Sequence, residues 1–206
     1  MNSKKGKEVS FSKEELIILN DTSFLKTKII VTEKVLNLLI ETEKKLKAFV
    51  KEEKQNFPDN LLIRAGKISK GEKYLNLPYQ VLDYPRFFSK ESVFTYRTMF
   101  WWGNFFSCTL HLQGDALEYY RDALLQNLLH APLADCYVCV NNTTPWEYHF
   151  ESSNFVPLNQ IPASKLNQIL KNHPFIKISR KLPLEKSDDL PAFALDSFKL
   201  FYKMLV

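Results

Sequence analysis

Hydrophobic and polar positions recur with two periods along the chain, and the switch from one to the other divides it. Ser12-Lys13-Glu14-Glu15 has capping-box spacing ahead of Leu16-Ile17-Ile18-Leu19, which predicts a short helix. After Asn20-Asp21-Thr22-Ser23, the residues Val35, Leu36, Leu39, Leu46, Phe49 and Val50 recur at helical spacing among Lys and Glu. A second helix is therefore predicted to about residue 54, ended by the Asn56-Phe57-Pro58 break. Beyond it the period shortens. Residues 61–68 read as a strand closed by a Ser69-Lys70-Gly71 turn, and Leu77 to Arg86 as a short strand bounded by prolines.

The densest aromatic stretch follows, with ten of the 23 residues from Tyr84 to Phe106 carrying rings, so this segment is either buried or holds something. Gly103-Asn104 lies between two runs rich in aromatic and β-branched residues, which predicts a two-residue hairpin turn joining strands at about 94–102 and 105–112. In that register Phe100 faces Ser107, Thr98 faces Thr109 and Tyr96 faces His111, giving one mixed aromatic and polar face. The other face carries Met99, Trp101, Phe106, Cys108, Leu110 and Leu112, with Arg97 discordant among them. Ser89-Lys90-Glu91-Ser92 competes locally as the cap of a short helix.

Asp115 and Glu118 have capping spacing for a helix to about His130, with positions 117, 120, 124, 125 and 128 apolar. Asp135 to Val140 and Trp146 to Phe150 read as a second hairpin around the Asn141 to Pro145 turn. Pro162 opens a helix carrying Leu166, Ile169 and Leu170; Phe175 to Lys181 alternates as a strand; Asp188-Asp189 precedes a last helix with Phe193, Phe198, Phe201 and Leu205. The expected fold class is α+β, a mainly antiparallel sheet built around the aromatic hairpin at about 94–112 and covered by helices, with an N-terminal helical segment at 11–55. Residues 1–10 are expected to be flexible and 11–206 to form a single α+β domain.

Composition narrows this reading. Hydrophobic residues make up 45% and charged residues 25% of the chain, values of a globular protein. No apolar leader follows Met1 and no run reaches membrane-spanning length, so a cytoplasmic location and no membrane partner are expected. Cys108, Cys136 and Cys139 are too few for a disulfide framework; Cys136 and Cys139 would point to opposite faces of a strand, and no second pair completes a metal site. Neither a metal nor a cofactor is expected. The net charge of +5 is segregated, since between Lys90 and Lys165 the only basic residues are Arg97 and Arg121. That lysine-free, acidic centre argues against nucleic acid as a partner.

Three function classes remain. The first is a non-catalytic ligand-binding or protein-interaction domain using the aromatic and polar sheet face, its partner a small molecule, another protein or a second copy of the chain. The candidate lining is Asp83, Arg86, Tyr96, Arg97, Thr98, Trp102, Ser107, Thr109 and His111. The second is a small-molecule enzyme in which Asp83, Arg86, Tyr96 and His111 supply acid, base and anion-binding groups. The third is single-stranded nucleic-acid binding by base stacking. Arg97, set among apolar neighbours, is expected to meet an acid, with Asp83 and Glu118 the nearest in sequence.

Overall fold

The computed structural model of the chain describes residues 10–53, 65–128 and 135–206, arranged in two compact units that divide between Leu36 and Asn37. Most of the predicted flexible N-terminus, the predicted strand at 61–64 and the predicted helix end near His130 lie outside the described residues. In the first unit, α1 (Lys13–Asn20) opens with the expected capping box: Glu15 N donates to Ser12 Oγ, and Ser12 N donates to the Glu15 carboxylate. Helix α2 (Thr22–Glu52) begins in this unit and runs on into the second. Its stripe holds Val35, Leu39, Leu46 and Val50 buried, whereas Leu36 is exposed rather than inward.

The second unit is built on a seven-stranded antiparallel sheet, β1 (Lys67–Tyr74), β2 (Leu77–Phe88), β3 (Ser92–Trp101), β4 (Phe105–Gly114), β5 (Tyr137–Cys139), β6 (Phe155–Pro157) and β7 (Phe175–Pro183). The spatial order is β1-β2-β3-β4-β7-β5-β6, so β7 returns to the centre beside β4. Helices α3 (Asp115–Asn127), α4 (Ala163–Asn172) and α5 (Leu190–Tyr202) complete the α+β architecture. No helix among the described residues is long and apolar enough to cross a membrane.

Local chemistry moves two predicted turns. The β1–β2 turn is Leu75-Asn76, both at positive φ, while Gly71 sits inside β1 opposite Tyr79. Two positive-φ residues match the right-handed twist of the flanking strands, so this pair closes the hairpin and the Ser69-Lys70-Gly71 signal does not. At the aromatic hairpin the loop has three residues, Trp102-Gly103-Asn104, with Gly103 at φ 68° and Asn104 N donating to Trp101 O. Trp101 therefore pairs with Phe105, Phe100 with Phe106 and Met99 with Ser107, one residue away from the predicted register. A slip of one exchanges the faces of one strand relative to the other. The predicted face assignment is accordingly wrong.

In the observed register Phe94, Tyr96, Thr98 and Phe100 share a face with Phe106, Cys108, Leu110 and Leu112. This face is covered by helices: Tyr120 of α3 packs on Phe94, and Phe198 and Phe201 of α5 pack on Tyr96. Phe49 of α2 meets Phe198 and Tyr202 edge-on. The Ser89–Ser92 segment is a turn into β3, and Ser92 Oγ accepts from Ala116 N, capping α3 from the neighbouring strand in place of Asp115. Gly114 is required at that junction, because a Cβ there would lie 1.8 Å from Glu91 O.

Candidate ligand site on the polar sheet face

The opposite face of the sheet carries Asp83 from β2, Thr95 and Arg97 from β3, Ser107, Thr109 and His111 from β4, and Lys177 and Ser179 from β7, brought side by side by the strand pairing. Among the described residues, the ring and cation contacts that reach this face from outside the sheet come from irregular chain. A strap of irregular chain, residues 141–154, lies over it, its two ends closed by Val140 N donating to Asn154 O at 2.8 Å. The alternation in Trp146 to Phe150 predicts a strand, but β5 pairs instead with β6, and the strap's backbone is satisfied by a side chain. Tyr74 Oη accepts from Tyr148 N at 2.6 Å and His149 N at 2.9 Å, and donates to Glu147 Oε2 at 3.0 Å. A chain segment held this way seats inward side chains while leaving its own backbone outside the sheet ladder.

Three basic residues meet beneath the strap. Arg97 is paired as expected with Asp83, Nε to Oδ1 at 2.8 Å and Nη2 to Oδ2 at 2.9 Å, and Thr95 Oγ1 also donates to Oδ1 at 3.2 Å. Burial opposes the guanidinium charge, yet the Tyr148 oxygen and the Asp83 carboxylate together hold its pKa above the ordinary arginine value. Its side chain keeps 15% exposure, so the cluster reaches solvent at this edge.

Lys177 is fully buried. Its Nζ donates to the Glu147 carbonyl and lies 4.8 Å from the Tyr148 ring centre, 5.1 Å from that of Phe155 and 5.7 Å from that of Phe175. The ion pairs among the described residues do not include it. Burial lowers its pKa to about 8, against the smaller raising effects of Cys139 and Glu147. Cys139 is itself raised by burial, and its Sγ donates to Asn154 Oδ1 at 3.4 Å.

His111 lies next to Lys177 across the β4–β7 ladder, with the Trp146 ring 5.6 Å away and that of Phe175 6.1 Å away. Among the described residues neither ring nitrogen has a hydrogen bond of good geometry, nor does the buried Tyr148 hydroxyl above, although Gln113 lies beside the imidazole and Arg97 beside the hydroxyl. Burial first, then the charges of Lys177 and Arg97, lower the imidazole pKa to about 3, so the ring is neutral at physiological pH. Below it Ser179 Oγ donates to Cys108 O at 3.2 Å, which leaves Thr109 Oγ1 as the donor in its 2.7 Å bond to Ser179.

The predicted lining is thus divided. Asp83, Arg97, Ser107, Thr109 and His111 are brought to one face. Tyr96 and Thr98 are not: Tyr96 Oη donates to Ala194 O at 2.6 Å under α5, and Thr98 lies against Cys108 in the same helix-covered layer. Trp102 stands in the hairpin loop against Phe100. Arg86 is separated from Asp83 by a register shift in the ladder and donates to Ala65 O at 3.0 Å, away from the Arg97–Asp83 pair. Lys177, Tyr148 and Tyr74 lie in the same cluster and were not among the predicted residues. The signal for Lys177 was present in Phe175-Ile176-Lys177-Ile178-Ser179, since a polar residue alternating with isoleucines in a central strand has no solvent to face.

No protein-family model, curated protein or solved structure matches the chain. The functional reading therefore rests on the geometry of this cluster.

Proposed function

We propose that the second unit is a ligand-binding module whose strap-covered sheet face takes a small anionic molecule, a carboxylate or phosphate, at Lys177, His111 and the free edge of Arg97. The observation that carries this reading is the buried Lys177 ammonium, seated among three aromatic rings and held by the Glu147 carbonyl, with no carboxylate at ion-pair distance among the described residues and the Glu147 charge acting on it only from farther off. An ammonium in that position is costly unless an anion accompanies it, whereas a solvated lysine is not. Two further features support the reading. Arg97 commits Nε and Nη2 to Asp83, which fixes the guanidinium plane and orients Nη1. The His111 ring nitrogens, beside Gln113, and the Tyr148 hydroxyl, beside Arg97, lie in the same layer without a hydrogen bond of good geometry among the described residues, an arrangement that is expensive to bury and that ligand oxygens could satisfy.

Because the strap lies over the cluster, binding requires its displacement, and the Tyr74 hydroxyl is the contact that would release it. Trp146, half exposed on the strap and close to His111, reports that motion. Titration with small carboxylates and inorganic phosphate, followed by tryptophan fluorescence, is expected to give saturable binding at pH 7. Binding should weaken above pH 8 as Lys177 loses its proton, and should vanish in Lys177→Met. Equal titration curves for the wild type and Lys177→Met contradict the reading.

A further inference from the structure

A buried amine of this kind has a second chemistry. Lys177 Nζ is enclosed by Tyr148, Phe155 and Phe175, with a neutral imidazole on the adjacent strand and a guanidinium one strand further. Desolvation and neighbouring cationic charge are the two conditions that turn a lysine into a nucleophile near neutral pH. We infer that Lys177 condenses with the carbonyl group of a small oxo acid whose carboxylate is held by Arg97, forming an imine; the inference rests on the anion site proposed above.

The step balances without any other reactant. The neutral amine attacks the carbonyl carbon and a C–N bond forms; the carbonyl π electrons move to oxygen. The neutral His111 ring accepts a proton from the new ammonium at one nitrogen as it gives the proton on its other nitrogen to that oxygen, so no imidazolium forms. The proton that Lys177 released to solvent on becoming neutral then returns to the oxygen, which leaves as water while the nitrogen lone pair closes the C=N bond. Overall, a lysine ammonium and a carbonyl give a protonated imine and water. His111 is placed for the relay because it stands directly opposite Lys177 across the ladder and is neutral. The charged and titratable groups around Lys177 are Arg97 from β3, His111 from β4, Cys139 from β5, and Glu147 and Tyr148 from the strap. Burial and Arg97 lower its pKa to about 8, against Cys139 and Glu147, so a usable fraction of free amine exists at pH 7 to 8.

The test is reductive trapping on the full chain. Protein is incubated with pyruvate or glyoxylate and cyanoborohydride, then examined by intact mass and peptide mapping. The expected result is one secondary-amine adduct per chain at Lys177, formed roughly tenfold or more faster than at any other lysine. It should be absent in Lys177→Arg and strongly slowed in His111→Phe, with folding of both variants checked by circular dichroism. Trapping spread over other lysines at the same rate in the wild type and Lys177→Arg overturns the inference. A fluorescence response to pyruvate with no adduct at Lys177 overturns the imine and leaves the anion reading standing. An adduct at Lys177 that forms equally fast with propanal upholds the amine chemistry and overturns the anion reading.

Discussion

The two faces of the central sheet are made from the same strands yet solve different problems. On the helix-covered face every large side chain meets another: Tyr96 against Phe198, Phe94 against Tyr120, and the Tyr96 hydroxyl on the Ala194 carbonyl. On the strap-covered face a partly exposed arginine paired with Asp83, a buried lysine held by a backbone carbonyl and in no ion pair among the described residues, and a buried neutral histidine lie together. The first arrangement is what stability alone would favour. The second holds groups that cost free energy in the folded state, a pattern associated with sites rather than with cores.

The largest effects should come from breaking what each face satisfies. Phe198→Ala removes a fully buried ring that touches Tyr96, Phe49 and Tyr202, and is expected to cost about 3–5 kcal/mol in denaturant unfolding. Anion binding by the folded variant should be unchanged. Arg97→Met leaves Asp83 buried with Thr95 as its one side-chain hydrogen-bond donor among the described residues, and should cost roughly 3–5 kcal/mol. The double change Arg97→Met with Asp83→Leu should recover much of that loss while binding stays absent. Full recovery of both would place Arg97 outside the site.

A smaller and pH-dependent effect separates His111 from its neighbours. Its folded pKa is depressed to about 3 from an ordinary value of 6.5, so the unfolded chain takes up a proton in that interval and the folded protein does not. Stability is therefore whole above pH 6.5 and is lost as the pH falls toward 3, at up to about 1.4 kcal/mol per pH unit. Arg97 and Lys177 remain protonated throughout this window and add no slope of their own. In His111→Phe the acid limb of the stability curve should flatten. A limb of unchanged steepness would assign the acid sensitivity to carboxylates elsewhere.

The same comparison shows what the sequence makes legible. Helical stripes and the helix-covered strand positions were readable because each apolar side chain pointed to one environment: Leu166, Ile169 and Leu170 of α4, and Ile176 and Ile178 of β7, are all buried as their spacing predicts. The hairpin at Gly103-Asn104 was readable as a hairpin but not in register, since only Gly103 takes positive φ and the loop includes Trp102. That slip placed Leu110 across from Arg97, whereas Arg97 stands opposite Thr109 and keeps Met99 and Trp101 as its neighbours along the strand on the same face. The strap was misread because alternation in Trp146 to Phe150 reflects which side chains it inserts, with Tyr148 buried and Trp146 half exposed, and not any strand pairing. Long-range meetings such as Lys177 with Tyr148 carry no local signature at all.

The claim that the strap-covered face is a site and not a core is tested most directly by Lys177→Met, read by thermal and denaturant unfolding at pH 7 alongside the anion titration. The depressed pKa of Lys177 means that below about pH 8 the folded protein carries a buried charge that the unfolded chain carries in water, so stability should rise with pH from about 8 toward 10.5. Methionine has similar bulk and no charge. The account predicts a protein more stable than the wild type by about 1–3 kcal/mol, with that alkaline rise gone and anion binding lost. A variant destabilised like Phe198→Ala, with the wild-type response to anions intact, would contradict it.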